Sequence, residues 1–368
     1  MIVRTFEERD WPDLVRFYEE FYRPGYILTK RAFFAWSFES PLRPDQRSGQ
    51  RMVVDGDKIV GIVGVLPWPL QVAGQPVLGE YNINILVDPA YRGQGWAQRL
   101  VEEATSGYRY NLVSGYVPRT RSLFERLGTV YHWPMRRLVK CLNVERTQAL
   151  MDGDPRFQEL EAADQAVART ALRDSAAVSL PRTGLEVQIP IRFDAEWDQA
   201  WEDIRRGYGF TTWRSSVFLN WRYMDYPVPL YTCLVGRGHG VACGLAVLRI
   251  ERPSCGPVVR IVDWVATKAT RRELLAIVEE VARRQQAIFV DYLAAGAMEE
   301  RLLAEAGYRE LVNPAGQMLL PMDFQPIRHR DTIQALATFR DPADPGRVEF
   351  EAGQFYIVKG DGDQDRAN

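Results

Sequence analysis

The sequence predicts a mixed α/β fold, an α+β arrangement with a mixed sheet, built from two similar halves. A β-branched run that ends at Val87 is followed by a glycine-rich turn and then by helical periodicity from Gln98. An aromatic motif at residues 33–38 returns at residues 218–223, which indicates an internal repeat. The 368 residues also exceed the length of one ordinary domain.

Hydrophobic periodicity and turn chemistry predict the strands and helices of the first half. Leu14, Phe17 and Phe21 share one face of a helix, and an Asp-Gly turn at Gly56 joins the strands of a hairpin. The predicted elements are a strand at 2–6, helices at 10–21 and 30–38, a hairpin at 51–66, a strand at 75–87, a helix at 98–107, a strand at 111–117, a helix at 119–128 and a strand at 137–142.

The same order returns after an alanine-rich, charged stretch. A second hairpin at 231–250 is followed by a strand at 258–265, a helix at 272–285, a strand at 288–292 and a helix at 300–307. We therefore predict four segments: an N-terminal domain at 1–145, a linker with exposed helices at 146–187, a second domain at 188–325 and a C-terminal tail at 326–368.

Composition excludes several classes of function. The chain has 46 basic and 48 acidic residues without a basic block, so nucleic acid is not an expected partner. Four cysteines and three histidines show no zinc-binding spacing, and no metal is expected. The N-terminus has no signal-peptide pattern and no run has the ~18 apolar residues of a membrane span, so we expect no membrane association and a cytoplasmic location.

The turn after Val87 has the chemistry of an anion site. Gly93 and Gly95 let the backbone approach a ligand closely, and the unpaired N–H groups at the start of the following helix favour negative charge. The spacing matches neither a dinucleotide-binding fingerprint nor a Walker motif. The turn is therefore predicted to hold a phosphate or a diphosphate.

Arg92-x-x-Gly95-x-Ala97, placed between a strand and a helix, resembles the signature of the GNAT family, the GCN5-related N-acetyltransferases. The element order is also similar to that of a GNAT domain, and the full chain is similar to two tandem GNAT folds of which the second is degenerate. The resemblance implies acetyl-CoA as co-substrate. The residues that it implies at the cofactor are Ile85, Leu86 and Val87 on the strand edge, Arg92, Gly93, Gln94, Gly95, Trp96 and Ala97 in the turn, and Ser122 in the next helix.

Two motifs are most similar to GNAT proteins found with bacterial polysaccharide and amino-sugar synthesis. The aromatic motif is Phe33-x-x-Trp36-x-Phe38, and the second motif is Val117-Pro-Arg119-x-x-Ser122 with a Leu-Gly pair soon after. Arg119 stands where those proteins have asparagine. The resemblance implies a small-molecule amine acceptor, with an amino sugar or its nucleotide conjugate favoured.

The second half lacks the anion turn. Residues 266–272 contain no glycine, so side chains would keep a diphosphate away from the backbone. We therefore predict one CoA site per chain.

Acyl transfer to an amine needs a proton acceptor for the amine and a proton for the departing thiolate. Glu80 is the predicted general base, and Asn82 and Asn84 are expected to share a face toward the cleft. Phe124 stands where the family has its tyrosine acid, so Tyr116, Tyr131, Cys141 or water would take that role.

Three functions stay open at this stage. The first is a CoA-dependent N-acetyltransferase. The second uses an acyl carrier protein as donor, which a basic rim at Arg92, Arg99, Arg109, Arg119 and Arg121 would dock. The third is a non-catalytic CoA-binding or scaffold module.

Overall fold

The structure is a computed structural model that describes residues 1–42, 48–115, 118–126, 128–181, 184–228, 231–296, 299–324, 327–328, 334–339, 354–362 and 365. Strands from both halves of the chain join in one large mixed sheet. The mixed α/β fold predicted from the sequence is confirmed.

The first half alternates strands and helices as the periodicity predicts. Its elements are β1 (Ile2–Thr5), α1 (Trp11–Phe21), α2 (Arg31–Phe38), β2 (Gln50–Asp55), β3 (Lys58–Val72), β4 (Gln75–Val87), α3 (Trp96–Thr105), β5 (Tyr110–Ser114), α4 (Pro118–Glu125), β6 (Thr129–Pro134) and β7 (Arg136–Cys141). Strands β1 to β4 pair antiparallel in chain order, whereas β5 runs parallel to β4.

Helices cover both faces of this part of the sheet. Phe38 of α2 packs in the same cluster as Leu66 of β3 on one face. Leu100 of α3 packs with Val65 of β3 on the other face. Because neighbouring residues of a strand point to opposite faces, each β3 or β4 side chain can be assigned to the α2 face or to the α3 face.

The predicted linker forms three helices, α5 (Val144–Asp152), α6 (Pro155–Gln158) and α7 (Ala162–Ala177). Asn143 and Asp154 cap the first two, since their side chains accept hydrogen bonds from backbone N–H groups of the first turn. Phe157 and Leu172 are fully buried in a cluster with β7, so these helices complete a core as well as connecting the halves.

The second half repeats the element order of the first. Its elements are β8 (Glu186–Gln188), α8 (Ala195–Ile204), β9 (Phe210–Thr212), α9 (Ser216–Leu219), β10 (Tyr231–Gly238), β11 (Val241–Glu251), β12 (Val258–Ala266), α10 (Arg271–Arg284), β13 (Phe289–Gly296), α11 (Glu300–Glu305), β14 (Arg309–Glu310), β15 (Asp323–Phe324), β16 (Ile327–Arg328), β17 (Gln334–Phe339) and β18 (Phe355–Val358). As in the first half, the central parallel pair is β12 with β13.

The two aromatic motifs meet face to face. The indole rings of Trp36 and Trp221 stack with centroids 5.0 Å apart and an interplanar angle of 13°. Trp36 Nε1 donates to the Trp221 carbonyl oxygen at 2.8 Å, and Trp221 Nε1 donates to the Trp36 carbonyl oxygen at 3.1 Å. The two hydrogen bonds are reciprocal: each tryptophan donates to the carbonyl oxygen of the other. Such reciprocal contacts are the geometry of a local two-fold axis.

The halves exchange strands. β7, from the first half, pairs antiparallel with β13, and β17, from the end of the chain, pairs antiparallel with β5 and β6. Strand pairing therefore crosses the predicted boundary at residue 145. The segment predicted as a tail at 326–368 contributes β17 and β18 to the main sheet.

Two short strands join the halves through their central strands. β9 pairs with β3 and with β18, and β18 pairs with β13, so the sheet continues from one half into the other. In the described part of the chain, no helix is both long enough and apolar enough to cross a lipid bilayer.

Candidate functional site

Pairing between β4 and β5 stops partway along β4, which leaves an opening between the two strands. These strands pair at Glu80 with Asn111 and at Tyr81 with Leu112, and beyond Tyr81 no further β4–β5 pair forms among the described residues. β4 continues to Val87 with its other edge on β3. The edge of β4 at the half-buried residues Ile85 and Leu86 therefore faces the opening.

A β-bulge lies in the β4 wall of this opening. Ile62 pairs with Leu86 and Gly64 pairs with Ile83, so Asn84 and Ile85 together oppose one residue of β3. Asn84 has a φ of 53°, a left-handed conformation that asparagine tolerates better than most residues. Its side-chain oxygen accepts a hydrogen bond from the Tyr26 hydroxyl at 3.0 Å, which fixes the bulge from the α2 face.

The turn after β4 begins with a structural aspartate. Asp88 accepts hydrogen bonds from the Ala90 N–H and from Lys58 Nζ, both at 2.9 Å. The hydrogen bond from Lys58 lowers the pKa of the Asp88 carboxyl below its ordinary value. Asp88 thus shapes the turn and holds it to β3.

The glycines of the turn adopt conformations that other residues resist. Gly93 and Gly95 have φ values of 78° and 81°, and Gly95 is the residue that precedes α3. A methyl group at either position would meet no atom within 4 Å. The backbone conformation, rather than a lack of space, is therefore what requires glycine, and the turn surface is open to a ligand.

The N–H groups of residues 93–97 lie in the turn and at the start of α3. Within the described residues, none of these five groups donates a backbone hydrogen bond. The Arg92 side chain donates to the Val87 carbonyl oxygen at 3.2 Å and so joins the turn to the end of β4. An open row of N–H groups at a helix N-terminus fits a diphosphate group.

Polar side chains close the narrow end of the opening on both faces. On the α3 face, Asn111 Nδ2 donates to the carboxylate of Glu80 at 2.7 Å, and Glu80 is fully buried. On the α2 face, the Tyr81 hydroxyl donates to Ser114 Oγ at 2.7 Å. Both bonds join β4 to β5.

Asn82 and Asn84 do not share a face, contrary to the sequence expectation. Asn82 pairs with Val65, which packs in the α3 cluster, whereas Asn84 bonds Tyr26 on the α2 face. The bulge at Asn84 adds a residue to the strand and breaks the alternation on which the expectation depended.

The candidate acids lie in different places. Tyr116 is outside the described residues, as is Val117 of the second motif. Tyr131 lies in β6, where its backbone pairs with Ala337. Cys141 lies in β7, which the strand exchange carries into the second half, and burial raises the pKa of its thiol. This position excludes Cys141 as an acid beside β4.

The helix on the β5 side of the opening is α4. Phe124 is fully buried and packs with Val101 and Val113, so it serves the core in the place where the family has its tyrosine. Ser122 is exposed on the same helix. The structure therefore brings the turn, the edge of β4 and α4 to one opening.

The corresponding opening in the second half is filled by the chain itself. β12 and β13 pair from Val258 to Ile261, and beyond that point the end of the chain lies between them. Lys359 N–H donates to the Leu293 carbonyl oxygen at 3.0 Å, and Gly360 N–H donates to the Val262 carbonyl oxygen at 2.9 Å. We call residues 355–362 the C-terminal plug.

The turn after β12 also differs from its counterpart. The N–H groups of Thr267, Thr270 and Arg271 donate to the carbonyl oxygens of Cys243 and Thr267. The N–H groups of Thr270 and Arg271, at the start of α10, are thus already satisfied, whereas those of residues 93–97 are open.

A buried ionic network holds the C-terminal plug. Arg214 pairs with Asp263 at 2.8 Å and with Asp361 at 3.4 Å, and Thr212 Oγ1 donates to Asp361 at 2.7 Å. Trp68 Nε1 of β3 donates to the same Thr212 hydroxyl at 2.9 Å. Sequence analysis missed this network because its members come from distant parts of the chain and form no local motif.

Family comparison agrees with the geometry of the first half. Residues 48–128 match the family model described as Acetyltransferase (GNAT) domain. No curated protein matches the sequence.

Three solved structures resemble the fold. A GCN5-related N-acetyltransferase from Anabaena variabilis ATCC 29413 is 12% identical, with a TM-score of 0.54 over 92% of this chain and 73% of that chain. A probable N-acyltransferase from Enterococcus faecalis V583 is 10% identical, with a TM-score of 0.55 over 91% and 72%. Saccharomyces cerevisiae N-myristoyltransferase with bound myristoyl-CoA is 13% identical, with a TM-score of 0.52 over 94% and 83%.

Residues 48–128 are therefore similar to a GNAT acetyltransferase domain, and the fold of the chain resembles that of solved GNAT-type acyltransferases. This class of enzyme uses acyl-CoA. In the described residues, no group of His, Cys, Asp or Glu side chains is arranged to hold a metal ion.

Proposed function

We propose that the protein is an N-acyltransferase that moves an acyl group from acetyl-CoA or a related short acyl-CoA to the primary amine of a small molecule. The observation that carries the proposal is the row of open N–H groups at residues 93–97 beside the opening between β4 and β5. The row of N–H groups holds the diphosphate of the cofactor. The opening between the strands admits the extended arm that joins the diphosphate to the thioester.

The bulge supplies the electrostatic part of the mechanism. A bulge leaves a backbone N–H group outside the sheet ladder, and such a group can donate to the thioester oxygen as negative charge develops there. Tyr26 holds Asn84 and so keeps this part of the backbone in place before the substrate arrives.

Proton transfer is proposed to use Glu80 as general base and Tyr116 or Tyr131 as general acid. Glu80 is buried at the closed end of the opening, with Asn111 donating to its carboxylate. A carboxylate in that position can take the amine proton through a bound water.

We further propose that the halves are tandem copies of one fold, with domains at 1–145 and 188–325 joined by the segment at 146–187, and that only the first copy binds CoA. The repeated element order and the reciprocal Trp36–Trp221 contact support the duplication. The C-terminal plug supports the single site, since it lies where a second cofactor arm would run.

The proposed acceptor is an amino sugar or its nucleotide conjugate. Support comes from the resemblance of the aromatic motif and from the stacked rings of Tyr22 and Tyr26, whose centroids are 4.6 Å apart beside the bulge. Aromatic faces of this kind are common in sites that bind small molecules.

The experiment that tests the proposal is a screen of amines, including amino sugars, with acetyl-CoA as donor and free thiol as the measured product. Thiol release that depends on the amine supports an N-acetyltransferase. Tight acetyl-CoA binding without amine-dependent release would favour a non-catalytic binding module. Turnover only with an acyl carrier protein thioester would favour the carrier-dependent enzyme.

A further inference from the structure

Asn82 lies at the closed end of the opening. It follows Tyr81, the last residue of β4 that pairs with β5, and its cross-strand partner is Val65 of β3. Directly paired residues of neighbouring strands point to the same face, and Val65 packs in the cluster of α3. The Asn82 amide therefore projects on the α3 face beside the pair of Glu80 and Asn111.

The amide of Asn82 is buried and unpartnered. Its residue is 2% exposed, and among the described residues neither its nitrogen nor its oxygen has a hydrogen-bond partner. The side-chain oxygen of Asn111 is in the same state. Buried amides in proteins are nearly always hydrogen-bonded because an unpaired one destabilises the fold. These two unsatisfied amides, on one face of neighbouring strands, indicate a place for a polar ligand group.

The proposed function determines which part of the donor arrives there. The diphosphate lies on residues 93–97, beyond the end of β4 at Val87. A donor that runs from the turn along the edge of β4 passes Leu86 and Ile85, reaches the bulge at Asn84 and ends at Asn82. The thioester is proposed to lie at the bulge, and successive strand residues rise by roughly 3.3 Å. Asn82, two residues further along β4 than Asn84, therefore meets the part of the donor beyond the thioester. That part is the acyl group.

The closed end limits the size and the charge of the acyl group. The bonds from Tyr81 to Ser114 and from Asn111 to Glu80 tie β4 to β5 on both faces, so a long chain has no path between the strands. The buried Glu80 carboxylate disfavours a second negative charge beside it. An amide has both donors and an acceptor, and a hydroxyl group can use both.

From this arrangement, which rests on the proposed function, we infer that Asn82 is a specificity-determining residue and that the preferred donor carries a short, neutral, hydroxylated acyl group. The expected donor is thereby narrowed from acyl-CoA in general to short hydroxyacyl-CoA. A site that hydrogen-bonds a substrate hydroxyl discriminates strongly against the analogue without it.

The test compares butyryl-CoA with 3-hydroxybutyryl-CoA, with succinyl-CoA and octanoyl-CoA as further donors. Dissociation constants come from calorimetry, and kcat/KM comes from thiol release with an amine that the screen identifies. We expect the wild type to bind and use the hydroxylated donor at least about tenfold better than butyryl-CoA, and to use the other two poorly.

Two variants separate recognition from structure. Asn82→Leu is expected to bind and use butyryl-CoA better than the wild type does, so that the preference for 3-hydroxybutyryl-CoA falls to about onefold. We expect no loss of thermal stability, because the change removes an unpaired buried amide. Gln148→Leu makes the same kind of change on α5 and is expected to keep the wild-type preference.

The outcomes are distinguishable from failure of the proposed function. Equal affinity of the wild type for butyryl-CoA and 3-hydroxybutyryl-CoA overturns the inference and leaves an acyl-CoA site in place. A preference that survives in Asn82→Leu overturns the role of Asn82. If the wild type binds neither acetyl-CoA nor any of the four donors, the proposed function fails and the inference fails with it. If it binds acetyl-CoA but none of the four, the inference is overturned and the proposed function stands. If Asn82→Leu does not fold, Asn82→Ala takes its place, and a preference that survives in Asn82→Ala overturns the role of Asn82.

Discussion

The two central openings of the sheet form in the same way, where parallel strand pairing stops, and have different contents. Between β4 and β5, parallel pairing stops at Tyr81, and the turn beyond β4 presents open N–H groups next to Gly95. Between β12 and β13, pairing stops at Ile261, and the C-terminal plug completes the hydrogen bonds of the strand edges. The comparison teaches that a gap in strand pairing in this fold can stay open, as a candidate ligand site, or be filled by the chain itself.

The difference also explains why the halves depend on each other. The C-terminal plug bonds to β12 and β13 through its backbone, while the network at Asp361 connects it through Thr212 to Trp68 of β3. Together with the exchange of β7 and β17, this arrangement leaves neither half with a complete sheet of its own. Filling the second opening therefore stabilises the half that carries the first.

The largest expected effect comes from forcing the second opening apart. Gly296 has a φ of 86°, and a methyl group there would overlap the Phe355 carbonyl oxygen of the C-terminal plug. We predict that Gly296→Ala lowers the free energy of unfolding in urea by about 3–4 kcal/mol, since it combines backbone strain with a clash.

The matched control for this variant is Gly153→Ala. A methyl group at Gly153 would make only ordinary contacts, and that residue has a φ of −79°. Its stability should stay within about 0.5–1 kcal/mol of the wild type. Equal stabilities of the two variants would show that the C-terminal plug does not hold the second half together.

The next effect concerns the first opening. Gly95→Glu places a carboxylate among the N–H groups that are proposed to bind a diphosphate, so we predict at least a hundredfold weaker binding of acetyl-CoA, about 2.7 kcal/mol. Calorimetric titration measures the change.

Gly240→Glu is the control, because Gly240 has a similar φ of 79° and open surroundings but lies in the second half. Its affinity for acetyl-CoA should equal that of the wild type. Wild-type affinity in Gly95→Glu would remove the turn from the site.

A further variant tests whether the chemistry belongs to the closed end of the first opening. Glu80→Gln keeps the shape of the side chain and removes its basicity, so kcat should fall about a hundredfold while acetyl-CoA affinity changes little. Glu103→Gln, an exposed change on α3, serves as the control and should keep its kcat. An unchanged kcat in Glu80→Gln would assign the base elsewhere.

The last expected effect is a pH dependence of stability that the C-terminal plug causes. Burial lowers the pKa of the Lys359 ammonium from 10.5 to about 8. Between these values the unfolded chain binds a proton that the folded chain does not, so stability rises with pH across roughly 8 to 10, with a limiting slope of about 1.4 kcal/mol per pH unit. Urea unfolding at several pH values measures the slope.

Lys359→Met should abolish this rise, because methionine does not titrate. The matched control is Lys268→Met, a lysine outside the plug in the turn before α10, which should keep the wild-type slope. A rise that persists in Lys359→Met would assign the proton to another group.

The first opening was predictable because its signals are local. The strand, the turn glycines and the following helix lie together at residues 75–105, and each has its own turn or capping chemistry. The start of α3 at Trp96, two residues before the predicted start, follows from Gly95 acting as the residue before the helix.

The contents of the second opening were not predictable in the same way. The C-terminal plug is an apolar tetrapeptide followed by glycines and aspartates, and nothing in its local pattern indicates pairing with β13. The exchange of β7 and β17 depends on pairing between strands that are far apart in the chain. The sheet face on which each of Asn82 and Asn84 lies could also not be predicted, because a bulge changes the alternation of side chains without a distinct sequence signal.

The most direct test of the central claim is a crystal structure of the protein with coenzyme A. The account predicts one molecule per chain, with its diphosphate on the N–H groups of residues 93–97 and its arm along β4 at Ile85 and Leu86. A diphosphate bound after β12, or an arm that displaces the C-terminal plug, would contradict it.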